Sequence, residues 1–347
     1  MASNNAVQIS ADEIALYDRQ IRLWGIEAQE RMRAARVLLV SCRALSNEVA
    51  KNLVLAGIGA LTIIDHAIVS SEDLGAQFFI EESDIGKNRA EASLERIRLL
   101  NPRVNVTADP DDISTKHADF FGNFDVVVAV DVQLKNLLDI NAKCRIHSTP
   151  FYAAGDIGLY GFIFVDLIIH TYTIQRDRSN IATKIGPETE TRTVVDVTWK
   201  REGPKITETV TKTESYKSLK ESMASKALSK LRPRQQLKVS PVLAATFAMW
   251  NYLSQNQDKP RTIEEFAAFQ EFVLQATRDL ELPASMITRE FCVSFAASIG
   301  TELSPVAAVL GGVLAQDILN FLARKEQPIQ NWVVFDGAAT TAPIYAL

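Results

Sequence analysis

The sequence predicts an α/β fold: a mostly parallel sheet with helices on both faces. Apolar runs that read as buried strands, at 36–40, 61–65 and 124–130, alternate with segments of helical spacing at 47–56, 88–100 and 133–146. Strands joined through a helix run parallel, and parallel sheets are covered on both faces. Continuous runs such as Arg36-Val37-Leu38-Leu39-Val40 suit that burial. Gly57 follows the first of these helices, at the place of a left-handed C-cap.

Taken in order, the first 30 or so residues read as helical, with Ile14, Tyr17, Ile21 and Trp24 at spacings of three and four. From Arg36 to about Ala154 the order is strand, helix, strand, helix, strand, strand, helix, strand. Gly158 to Ile174 is strand-like, with Phe162 and Phe164. Residues 175–240 are rich in Thr, Lys, Glu and Arg and read as a polar, partly flexible excursion with a hairpin around Thr193 to Thr207. Within it, Lys226, Lys230, Arg232, Arg234 and Lys238 read as a solvated linker, with a nuclear-import signal as the alternative. Helices resume after Pro241, and Thr262 with Glu265 makes a capping box for a helix to about Leu280. The segment 305–323 is apolar nearly all round, and Gly311-Gly312 would admit another backbone. Ser304 is the expected N-cap, with Pro305 at the first helical position. Trp332 to Phe335 reads as a last strand closed by Asp336-Gly337. The expected organisation is an N-terminal helical and sheet core over 1–174, the excursion over 175–240, and a 241–347 segment completing the same domain.

At 347 residues and 47% hydrophobic, the chain can bury a large core. A formal charge of −5 argues against a general nucleic-acid binder. Cys42, Cys144 and Cys292 are scattered, as are the four histidines, so no metal-ligand spacing appears and a reducing compartment is the simplest reading. Met1 to Ser10 is polar and lacks a signal-peptide core. Val306 to Leu322 is the one stretch long enough to suggest a membrane span. Gln316, Asp317 and Asn320 interrupt it, so it reads as a buried helix of a soluble protein, with no membrane partner.

The first strand should lead into a glycine-rich phosphate turn. Here the turn is Ser41-Cys42-Arg43-Ala44-Leu45-Ser46, with serine or alanine at each glycine position. Those glycines permit the tight turn, let the backbone approach phosphate, and let helix and strand pack closely. A Cβ at each place obstructs that approach and Arg43 adds bulk, although its charge is also compatible with attracting phosphate. The scaffold of a nucleotide-binding unit is present and its cradle is not. Such a chain is expected to work through a partner that kept the site.

Several stretches point to one family: YDRQIRLWG (Tyr17 to Gly25), LGAQFF (Leu74 to Phe79), IGKNRAEAS (Ile85 to Ser93), LNPRV (Leu100 to Val104), and SPVAAVLGGVLAQDILNFL followed by VVFDG. Over about 1–170 and 285–340 these resemble the Rossmann-like, ThiF-like adenylation domains of ubiquitin-like-protein activating enzymes. The short length and the DRQIRLWG and GAQFF wording resemble the small-subunit branch that serves SUMO. Subunits serving another modifier are the near alternative.

The resemblance implies ATP- and Mg-dependent adenylation of a modifier's C-terminal glycine, then thioester formation on a cysteine. Carried over by position, the three glycines fall on Ser41, Ala44 and Ser46, and are lost. The ribose acid falls on Asp65 and is kept, although a cap for the next turn is its preferred reading. An asparagine and an arginine near the phosphates fall on Asp73 and Ala76, and a lysine on Arg89. The magnesium aspartate lands near Val132, one residue from Asp131. No cysteine stands in the thioester context. The resemblance therefore implies a pseudo-active adenylation domain, one half of an obligate heterodimer. Its cysteine-bearing partner subunit holds ATP and Mg, and SUMO is met through the complex. Arg19 matches an arginine that reaches in trans to the partner's ATP, while Arg22 is expected to support the interface. A nuclear location goes with the same resemblance. Two rival readings are a scaffold in which Arg19 has no catalytic part, and a self-sufficient nucleotide enzyme.

Overall fold

A computed structural model of the chain describes residues 9–178, 181–203, 205–256 and 258–347; Met1 to Gln8, read above as polar, lie outside them. Three short helices, α1 (Ala11–Leu16), α2 (Asp18–Trp24) and α3 (Ile26–Ala34), lead into β1 (Arg36–Val40) and α4 (Ala44–Ala56). Then come β2 (Ala60–Ile64), α5 (Arg89–Leu100), β3 (Asn105–Asp109), α6 (Ala118–Phe121), β4 (Val126–Val130), α7 (Leu134–Ile146), β5 (Phe151–Ile157) and β6 (Tyr160–Asp166). The strands and helices expected between Arg36 and Ala154 are all present, shifted at most a few residues at their ends. Gly57 caps α4 with φ 79°.

One eight-stranded sheet runs in the order β12-β11-β6-β5-β4-β1-β2-β3, with β11 (Trp332–Asp336) and β12 (Ile344–Tyr345) returning from the C-terminus. The run β3-β2-β1-β4-β5 is parallel, while β6, β11 and β12 add antiparallel pairs. Alternation along β1 divides the core. Val37 and Leu39 face the side covered by α4 and α13 (Ser304–Ala323), while Leu38 and Val40 face that covered by α7 and α10 (Pro241–Gln255). On the latter side α11 (Ile263–Asp279) and α12 (Arg289–Ser298) complete the layer. Thr262 and Glu265 form the expected capping box. α13 begins one residue earlier than expected: Leu303 is its N-cap and Ser304 is already helical, with no side-chain cap bond.

The chain leaves the large sheet at Leu167. β7 (Ile169–Asp177), β8 (Gly186–Pro187), β9 (Arg192–Glu202) and β10 (Lys205–Ser215) form a second, antiparallel sheet in the order β7-β10-β9-β8. The hairpin expected near Thr193 to Thr207 is the β9–β10 pair. Short helices α8 (Leu219–Met223) and α9 (Pro233–Gln236) follow. In the basic cluster, Lys226 pairs with Glu281 and Lys230 with Glu190. The second sheet is tied to the first by buried Asp166. Its carboxylate accepts two bonds from Arg145 (2.7 and 3.1 Å) and one each from Asn141 and the Ile168 amide. Arg145 also donates to the Tyr216 carbonyl.

α13 is long and apolar enough to cross a membrane, yet it packs between α4 and the sheet. The approach is close at Gly311, where a Cβ would meet Glu48 and the Leu45 carbonyl. Its buried Asp317 accepts from the Ile329 amide (2.9 Å) and the Tyr152 hydroxyl (3.1 Å).

Burial raises the Asp317 carboxyl from its ordinary 3.8 to about 7. A carboxyl that holds its proton more tightly folded than unfolded loses stabilisation as pH rises through that interval. Asp317→Asn keeps the shape and cannot ionise. Its melting temperature, compared with wild type at pH 5 and pH 8, should gain on wild type at the higher pH. A constant gap would mean that Asp317 titrates alike in both states.

Candidate functional site

The parallel strand order reverses between β1 and β4, so a crevice opens at their C-terminal ends. Around it stand the turn after β1, the N-terminus of α4, Asp131 after β4, Asp156 in β5, and Glu302 just before α13. Ser41 has φ 71°, so the first glycine position keeps the left-handed backbone although the residue is serine. Ala44 and Ser46 lie inside the first turn of α4, where no such backbone is needed.

In the crevice the amide end of α4 is engaged by the chain's own side chains. Glu302 accepts a hydrogen bond from the Ala44 amide (2.8 Å) and one from Arg43 Nε (3.1 Å). A carboxylate thus sits on the first amide of α4, the kind of place a phosphate oxygen takes. Burial opposes the charge on Arg43, but Asp131, Glu302 and Asp156 outweigh it and raise its pKa. A triphosphate reaching this helix terminus would have to break the Glu302 contacts, so the crevice as folded does not fit one.

The metal reading fares no better. Asp131, Asp156 and Glu302 each place one oxygen within 4.8 Å of the others. Arg43 already supplies the positive charge among them. Burial, then Asp156, drives the Asp131 carboxyl upward, and burial, then Glu302, drives Asp156 upward. One oxygen of each remains buried without a partner. Of the two neighbouring residues, Val132 packs against the core and Asp131 brings its carboxylate to the crevice.

Asp65 is also committed within the chain. Its Oδ2 accepts from the Cys42 amide (2.8 Å) and Arg89 Nε (2.8 Å), and its Oδ1 from the Ala67 amide (2.9 Å). The Ala67 bond is the turn cap expected as the simpler reading. Arg89 bridges on to Asp73 (3.2 Å), so the residues at the ribose, asparagine and lysine positions form one internal ion network. The cysteines are buried thiols. Burial raises Cys42 to about 12 and Cys292 to about 11, and pushes Cys144 higher still, which suits inert core thiols.

Arg19 lies outside this crevice, exposed on α2. Its side chain makes no hydrogen bond or ion pair with any described residue. Arg22 is tied to Asp18 one turn back (3.0 Å). The helix is held by Tyr17, whose hydroxyl accepts from Asn101 Nδ2 (2.8 Å) and whose ring lies where a Cβ on Gly57 would stand. Glu302 and Asp156, which close the crevice, went unmarked in the sequence. Each lies far along the chain from the turn it contacts.

Two substitutions separate backbone need from fingerprint resemblance. Ser41→Gly should be neutral or stabilise by up to about 1 kcal/mol, because it relieves a left-handed non-glycine. Ser46→Gly, inside α4, should destabilise by about 1 kcal/mol. Urea unfolding of both variants checks the contrast; equal losses would show that Ser41 carries no strain.

The ThiF family matches residues 17–344. The DNA damage tolerance protein RHC31 of Saccharomyces cerevisiae is 37% identical over 342 residues, covering 97% of this chain and 98% of its own length. SUMO-activating enzyme subunit 1 of Xenopus laevis is 37% identical over 352 residues, covering 100% of this chain and 99% of its own. The human protein of that name is 35% identical over 338 residues, with 95% and 93% covered. With a Rossmann-like sheet that opens at the expected crevice and a family match along nearly its whole length, the chain belongs to the ThiF family.

Proposed function

We propose that this chain is the non-catalytic subunit of a heterodimeric SUMO-activating enzyme. It completes the ATP site of its cysteine-bearing partner with Arg19, while the partner holds ATP and Mg. The observation that carries this reading is the crevice occupied by Glu302 and Arg43. Full-length similarity to proteins named SUMO-activating enzyme subunit 1 supplies the pathway. In adenylation the modifier's carboxylate attacks the α-phosphate and pyrophosphate departs. A guanidinium fixed from across the interface can brace the departing charge with paired hydrogen bonds. Arg19 suits that part because its head group is unspent within the chain. A nuclear location goes with the pathway, and imaging of the tagged chain tests it.

The partner face we assign is where α2, α4 and α13 meet. A cavity there is lined by Gln20, Leu55, Gly312 and Leu319, and Leu55, Val309 and Val313 stand exposed beside it. Apolar groups left open on packed helices suit a large obligate interface.

ATP–pyrophosphate exchange with SUMO tests the assignment, using this chain alone, the partner alone, and the two together. Exchange should need the partner. Arg19→Ala in the intact heterodimer should cost on the order of 100-fold or more in rate, whereas Arg22→Ala should cost little. An Arg19→Ala heterodimer with full exchange would leave only a scaffold role. Exchange by this chain alone would overturn the reading. Val313→Arg should abolish co-purification with the partner while leaving the chain folded by circular dichroism.

A further inference from the structure

A large cavity lies at the opposite end of the strands from the nucleotide crevice. It has a volume of about 880 Å³ and opens where β1, β4 and β5 begin, beside Arg36, Asp125 and Pro150. That size suits a small molecule.

Its charges are unbalanced. Arg31 and Arg324 both line it. Arg31 donates to the Leu322 and Ala323 carbonyls at the end of α13 (3.1 and 2.6 Å), which fixes its guanidinium. Arg324 follows in a left-handed conformation (φ 53°), and its side chain makes no ion pair or hydrogen bond with a described residue. Burial and then Arg324 depress the pKa of Arg31; Glu27 and Glu30 act against this, yet neither forms an ion pair with it. The one carboxylate in the wall, Asp125, is held by Arg36, through its amide (2.8 Å) and its guanidinium (3.6 Å). Two like charges therefore flank the cavity without a counter-charge of their own.

His170 supplies an independent pointer. It lines the cavity and is only 5% exposed, stacked near Tyr172 and against Phe321 (4.8 Å). No described residue hydrogen-bonds to its ring, and Nε2 is buried without a partner. Nε2 itself has no exposed surface, so a ligand in the cavity would meet the ring by its other edge. The cavity wall also holds Ser148 (φ 54°) and Ile168 (φ 62°) in left-handed backbone, which is costly for a β-branched residue and is the kind of strain kept at binding sites.

We propose that this cavity binds a small anion bearing carboxylate or phosphate groups. Its charged end sits between Arg31 and Arg324, with a polar atom against the His170 ring and its body on Phe321. The site is separate from the nucleotide crevice and does not depend on the adenylation reading.

Citrate and pyrophosphate are suitable probes, titrated calorimetrically into the full-length chain at constant ionic strength. Saturable 1:1 binding of at least one is expected. Arg324→Asn suits the left-handed position and should weaken that binding at least tenfold with the melting temperature unchanged. Arg278→Asn removes an equal charge on α11 and should leave binding as in wild type. The His170 ring signals in the NMR spectrum should shift on titration in wild type. The proposal is overturned if neither probe binds saturably, if Arg324→Asn binds as wild type, or if Arg278→Asn weakens binding equally. The last result would mark a general charge effect.

Discussion

A helix N-terminus carries unpaired amides and about half a positive charge, and it needs an anion. In a nucleotide-binding βα unit that anion arrives with the ligand. Here the chain provides it: the carboxylate of Glu302 rests on the Ala44 amide and draws Arg43 in beside it. Much of the arrangement depends on this contact. It joins the first βα unit to the segment that opens α13, and α13 in turn packs on α4 through Gly311. A crevice that awaits a ligand is incomplete without it. One completed by its own carboxylate is set at folding, and a nucleotide would then compete with an intramolecular group whose entropy cost is already met.

The same logic recurs around the sheet. Asp65, Arg89 and Asp73 close on one another, and Asp166 closes on Arg145. Such buried pairs add little over apolar packing of equal volume, but leaving one partner alone is costly, about 3–5 kcal/mol. They act less as glue than as registers. The Asp166 contact fixes where the chain leaves the large sheet at Leu167 and Ile168, and the Asp65 contact fixes the turn after β2. Ser41 holds a left-handed backbone, a glycine's geometry without the glycine.

What could be read from the sequence follows from range. The strands around β1, β2 and β4 and the helices between them carry local periodicity, so they were legible almost to the residue. The capping box at Thr262 and the left-handed cap at Gly57 are also local signals. The second sheet was less legible. Along β10 the inner face reads Glu208, Val210, Lys212 and Glu214, all buried, and a run so charged looks solvated. Its burial is made possible by partners that arrive from elsewhere: Arg176, Glu188 and Arg192. The crevice divided in the same way. The lost glycines were visible at Ser41, Ala44 and Ser46. Glu302 and Asp156, which stand in the crevice, lie far along the chain, and no spacing rule reaches them.

A residue that acts across an interface faces opposed demands. It must be positioned by its own chain, yet its head group must stay uncommitted within that chain. For Arg19, in the role proposed above, the two are met by different residues. Positioning comes from Tyr17, buried two residues earlier, with its hydroxyl bonded to Asn101 and its ring against Gly57. α3 is tied down as well, through Gln29 to the Ala56 carbonyl (3.1 Å). The seven-residue α2 between these anchors is too short to be stable alone, so its direction is inherited from them. Arg22, on the same helix, spends its guanidinium on Asp18 and is the less available of the two. Ordering a free arginine costs up to about 2 kcal/mol of rotamer entropy, a cost that a bidentate phosphate contact offsets and a surface salt bridge generally does not. That asymmetry is the physical reason to look for phosphate, rather than a carboxylate rim contact, opposite Arg19 in the heterodimer proposed above.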